Sequence, residues 1–110
     1  MLEDSLKKIE DSIRRLGALD SEKKKELIGL LGELKGEVKR LAETHEEHAR
    51  SIAGLAEQAA HEASRRERSP DLAEHSIAGL ALSAKGLEIS HPELVETINA
   101  LCTMLAKIGI

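Results

Sequence analysis

From Leu27 the side chains of one helical face recur at alternating spacings of four and three, through Leu31, Leu34, Val38, Leu41, His45, His48, Ile52, Leu55 and Ala59. That spacing puts a continuous stripe, largely apolar, along one side of an α-helix. No proline interrupts the stretch before Pro70. A helix over 21–66 is therefore expected, and at 1.5 Å per residue it would extend about 70 Å. A rod of that length cannot cover its own stripe, and a heptad-like repeat sustained this far predicts coiled-coil packing along the seam.

The flanking segments carry the same period in shorter runs. Leu2, Leu6, Ile9, Ile13 and Leu16 predict a helix over 2–16, closed by Gly17 at the left-handed C′ position, with Asp20 and Glu22 opening the next helix. Ser69-Pro70-Asp71 reads as an N-cap, a proline in the first turn and an acid that favours the helix dipole. The helix it opens, expected over 70–88, has Ala73, Ile77, Leu80, Ala84 and Leu87 on its apolar face. The hexapeptide Ser-Ile-Ala-Gly-Leu-Ala stands at 51–56 and again at 76–81, and the two copies are expected to pack antiparallel. Pro92 opens a helix over 92–108 with Leu94, Ile98, Leu101, Leu105 and Ile108 inward, and Gly109 and Ile110 suit a Schellman-type closure.

The chain has no Phe, Tyr or Trp, so any core is built of Leu, Ile, Val, Ala and Met. Strands favour aromatic and β-branched residues, whereas most of this set suits helices. The fold class expected is all-α: an elongated antiparallel helical bundle or coiled coil with one long central helix and three shorter ones. At 110 residues, a single domain over 1–110 is expected.

Composition also narrows function. A net charge of −4 and the lack of aromatic stacking platforms argue against nucleic acid. Arg65, Arg66 and Arg68 complement the dipole at the end of the long helix; as a nucleic-acid site the cluster is small, and the overall acidity opposes the approach of phosphate. No apolar run approaches the roughly 20 residues that span a bilayer. The acids among the first residues do not suit the apolar core of a secretory signal. A cytoplasmic location is expected, which the lone Cys102 fits, and its neighbours Leu101 and Leu105 suggest a buried filler.

His45 and His48 stand where the seam would take Leu or Ile. Three residues apart on one face, they could present two imidazoles to a divalent metal, with partner helices completing the ligand set. His45-Glu46-Glu47-His48 is not the zincin pattern, whose histidines are four apart. The plainer reading is a polar layer that fixes register. If the pair were buried and neutral, charging it near pH 6 would loosen helix association. His61 and His75 would lie near each other at the turn between helices or on solvated faces. Gly29, Gly32 and Gly36 are either surface glycines or mark a close helix approach, and Ala49, Ala53, Ala56, Ala60 and Ala63 form a thin stripe. No phosphate loop, nucleophile elbow, EF-hand loop or paired ExxH motif is present.

The segment Leu87-Glu88-Ile89-Ser90-His91-Pro92-Glu93-Leu94, with Leu105-Ala106-Lys107-Ile108-Gly109-Ile110, resembles a bacterial family classed as a domain of unknown function. Its members are short helical proteins with an aromatic-Glu-x-x-His-Pro segment and a Gly-Ile terminus. Here Leu87 stands in the aromatic position. The resemblance, over roughly the last third of the chain, implies a helical fold and a bacterial source and carries no activity, cofactor or catalytic residue. Glu88, His91 and Pro92 are expected to shape the turn before the last helix.

The function these features point to is non-enzymatic: helical self-assembly or interaction, as a scaffold or adaptor. Leu6, Ile9, Ile13, Leu34, Val38, Leu41, His45 and His48 are the expected oligomer interface, in a homodimer or tetramer, with an unidentified protein as the other candidate partner. The alternative is a metal-binding or metal-sensing bundle that uses His45 and His48, and no other cofactor is expected.

Overall fold

A computed structural model describes residues 2–14, 21–65, 67 and 69–108. Among these lie five helices and no strand: α1 (Leu2–Arg14), α2 (Ser21–Ala42), α3 (Glu46–Ser64), α4 (Pro70–Ser83) and α5 (Pro92–Ile108). The expected closures at Gly17, Asp20, Gly109 and Ile110, together with Leu16, Arg66 and Arg68, fall outside the described residues.

The expected long helix is two helices. It breaks at Glu43-Thr44-His45, and His45 takes the N-cap position of α3 at φ −138° and ψ 66°. Thr44 Oγ1 lies 2.8 Å from His45 Nδ1 and 3.4 Å from the Leu41 carbonyl, local bonds of the kind that compete with helix propagation. The break also suits the charges on either side. Lys39 and Arg40 fall in the last turn of α2, while Glu46 and Glu47 fall in the first turn of α3, so each sign complements the dipole of its own helix. In place of a 70 Å rod, the chain measures 37 × 25 × 23 Å.

The stronger cause is burial. Folding back encloses the α2 seam, Leu27, Leu31, Leu34, Val38 and Leu41, which a continuous rod would leave to another chain. It also makes α3 the central element, packed against each of the other four helices. Its inward positions are Ala49, Ile52, Ala53, Ala56, Ala59, Ala60 and Ala63, so six of these seven carry only a methyl group. Small side chains let neighbouring backbones come close, and a helix with partners all round has room for little else. The inward stripe therefore restarts at Ala49, one residue past His48.

α4 ends at Ser83 rather than at 88, because Gly86 takes a left-handed φ of 95°. The Glu88 carboxylate accepts from the Gly86 amide at 2.8 Å, and the His91 amide donates to the Leu87 carbonyl at 2.8 Å, leading the chain into Pro92. The Ser-Ile-Ala-Gly-Leu-Ala copies do meet: a Cβ on Gly79 would lie 3.4 Å from Leu55 Cδ2. With His48 beside Ser83 as well, rising numbers on α3 meet falling numbers on α4, which is the antiparallel sense. Gly29, Gly32 and Gly36 face open space, so no helix approaches them within the chain.

Candidate functional site

The eight residues expected on an intermolecular seam divide in the structure. Leu6, Ile9, Leu34, Val38 and Leu41 are at most 5% exposed within one chain, where they form part of its own core. The Ile13 side chain lies outside the described set. His45 and His48 are exposed and do not interrupt an apolar seam. The reason is the break at 43–45: the spacing of three placed them on one face only while the helix ran through.

Each imidazole has its own task. His45 sits at the corner, bonded to Thr44, with its ring edge-on to His91 at a centroid distance of 6.5 Å. His48 Nε2 donates to the Ser83 carbonyl at 2.9 Å and so fastens the start of α3 to the end of α4. The loosening expected of buried, neutral histidines near pH 6 lacks its premise, because neither ring is buried. No group of three His, Cys, Asp or Glu side chains among the described residues is arranged to hold a metal ion. His61 and His75 are both exposed.

Cys102 is buried on α5, and its thiol points at the Ile77 carbonyl of α4 at 3.7 Å. Burial pushes its pKa up from 9.0 to about 11. A thiol of that pKa is on the order of one-thousandth thiolate at pH 8, against about a quarter for a free cysteine near 8.5. Native protein is therefore expected to react with a disulfide reagent at least 100-fold more slowly than urea-unfolded protein. Equal rates would place Cys102 outside the core. The raised pKa also links to stability: its contribution is complete below pH 9 and is lost as the pH rises towards about 11.

The surface that departs most from an ordinary solvated helix is on α4. Its outward stripe is Asp71, His75, Ala78 and Leu82, followed by Lys85 just past the helix, and all five are exposed. Leu82 is 66% exposed and Leu72, on the flank, is 49% exposed. Beside this stripe runs an open groove of about 440 Å³, lined by Pro70, Ala73, Glu74, Ile77, Ala78 and Ala81 of α4 and by Ala106 of α5. An exposed leucine beside a groove of mostly small apolar side chains is a surface that another chain can cover. The sequence reading missed this surface because the inward stripe of α4 was complete without it. The signal available was the apolar residues left over, Leu72, Ala78, Ala81 and Leu82.

No described helix is long and apolar enough to cross a membrane. No family model matches this chain, and no curated protein or solved structure matches it.

Proposed function

We propose that the chain is a non-enzymatic self-assembly module, an adaptor or scaffold whose first partner is a second copy bound through α4. The observation that carries this reading is Leu82, a large apolar side chain presented outward next to a groove of small ones. One copy thus holds both a projecting side chain and a recess on adjoining faces, which is what an isologous two-fold contact needs.

The register of the contact follows from the charges. In an antiparallel pair of α4 helices with the two-fold at Ala78, Asp71 of each copy falls opposite Lys85 of the other. Leu82 falls opposite Glu74, at the edge of the groove, and Ala78 meets its own copy where close approach is needed. Asp71 and Lys85 would then supply one opposite-charge pair at each end. The family resemblance at 87–94 and 105–110 remains part of this proposal and adds no activity to it.

The reading predicts a native mass of twice the 12.0 kDa chain. Leu82→Glu should leave the monomer alone, with helix content unchanged because the replaced side chain is largely in water. Lys85→Glu should weaken the dimer about tenfold at low salt and less at high salt. A chain that stays monomeric at high micromolar concentration, or a Leu82→Glu variant that still dimerises, would overturn it.

The second reading, a divalent-metal site on His45 and His48, gains one observation: the His91 ring stands 6.5 Å from that of His45. Zinc retained one per chain through dialysis, and lost in the His45→Ala and His48→Ala pair, would support it. Loss of zinc at the first dialysis step would count against it.

A further inference from the structure

Among the described residues two glutamates are buried, Glu62 at 5% exposure and Glu37 at 9%. Glu62 is fully served: one oxygen accepts from Gln58 Nε2 at 3.0 Å and the other from Arg65 Nη1 at 2.8 Å. Glu37 is not. Its Oε1 is buried and has no hydrogen-bond partner within the chain. A buried carboxylate oxygen without a donor is unfavourable, and such an atom is commonly answered by a water, an ion or a ligand.

Its surroundings say what that donor would be. Glu37 lines two adjoining recesses along the seam where α2 and α5 meet. The larger, about 350 Å³, is walled by Glu33, Glu37 and Arg40 of α2 and by Glu93, Glu96 and Thr97 of α5. The helical spacing explains the grouping. Residues 33, 37 and 40 fall on one flank of α2, and 93, 96 and 97 fall on the facing flank of α5. Four carboxylates thus meet one guanidinium, and Arg40 is not among the cations of the ion pairs that Lys8, Arg14, Arg50 and Arg65 form among the described residues. Thr97 adds no donor, since its hydroxyl is already given to the Glu93 carbonyl at 3.0 Å.

We propose that this cleft binds an organic cation, a guanidinium or primary ammonium group, whose N–H donors reach Glu37 while Glu33, Glu93 and Glu96 supply the surrounding negative field. A single divalent ion suits the cleft less well, because it needs several oxygens converging on one point and no such group is formed here. A guanidinium or ammonium needs only one or two charge-assisted hydrogen bonds, with the remaining charges at longer range. The source of the group is either an arginine or lysine side chain of a partner protein or a free polyamine. The cleft lies on α2 and α5, away from the outward stripe of α4, so this proposal stands or falls independently of self-association.

The test is a titration of isotopically labelled full-length protein, followed by amide NMR. The probes are a capped Gly-Arg-Gly-Arg-Gly peptide and, separately, spermidine, with magnesium chloride at matched ionic strength as the control. Shifts should concentrate at residues 33–40 and 93–97. Affinity should fall at least tenfold in Glu37→Gln and hold within twofold in Glu47→Gln, an exposed acid elsewhere on the surface. Saturation by the peptide alone would assign the site to a partner's side chain, and saturation by spermidine alone to a free polyamine. If Glu37→Gln does not fold, Glu96→Gln and Glu33→Gln carry the comparison, since both side chains are exposed. Equal shifts with magnesium chloride, or unchanged affinity in variants that fold, would overturn the proposal.

Discussion

Ile98→Ala is expected to destabilise the chain by about 2–5 kcal/mol, the range for removing a large aliphatic side chain from a packed core. Ile98 is 0% exposed on α5, and Leu94, Leu101 and Leu105 along the same helix are at most 2% exposed. Domains of this size are stable by only about 5–15 kcal/mol in total, so such a loss is a large share of what holds the fold together. The cavity would be lined by branched side chains already fixed by their own packing, which limits collapse into the gap. Because the chain has no Phe, Tyr or Trp, the measurement is denaturant unfolding followed by far-ultraviolet circular dichroism. The midpoint should fall with the slope unchanged. A loss below about 1 kcal/mol would mean that α5 does not close the bundle as described.

Ala56→Leu is expected to cost at least about 1–3 kcal/mol through overpacking. This substitution separates the five-helix bundle from the extended rod. In a continuous helix over 21–66, Ala56 lies beside the seam, and a leucine there would only widen an apolar stripe. In the structure Ala56 is 0% exposed on a helix that packs against every other one, so three extra carbons have nowhere to go. The control on the same helix is Gly54→Ala. A Cβ at Gly54 meets nothing within 4 Å, so the change should stabilise by about 0.5–1 kcal/mol through the lower entropy of the unfolded chain. A neutral or stabilising Ala56→Leu would return the rod to favour.

The helices themselves were legible because their signals are local. The spacing of Leu94, Ile98, Leu101 and Leu105 and the Ser69-Pro70-Asp71 start are properties of adjacent residues, and α4 and α5 begin where those signals place them. The break at 43–45 also left a local trace that the unbroken period concealed. Lys39 and Arg40 followed by Glu46 and Glu47 is the charge order of one helix ending and another beginning. Gly86 likewise marked the early end of α4.

The candidate surfaces were less legible, since periodicity states which face of a helix is apolar and not which chain covers it. Leu34, Val38 and Leu41 satisfy a coiled-coil seam and an internal core equally well. His45 and His48 shared a face only on the assumption of a continuous helix, and one break moved both into solvent. Glu37 reads in the sequence as one of many surface acids. Only the approach of α5 buries it, leaves its Oε1 without a donor and sets Glu93 and Glu96 across from it.

Propensity, capping and hydrophobic period act over a few residues, so the helical class, the starts of α4 and α5 and the apolar face of each helix were set locally. The tertiary structure decided that the apolar stripe folds onto its own chain, that the alanine helix lies at the centre, and that Leu82 and Glu37 are left unsatisfied. Those outcomes depend on how much surface can be buried by elements far apart in sequence, and a free energy summed over the whole molecule cannot be read from any single stretch of it.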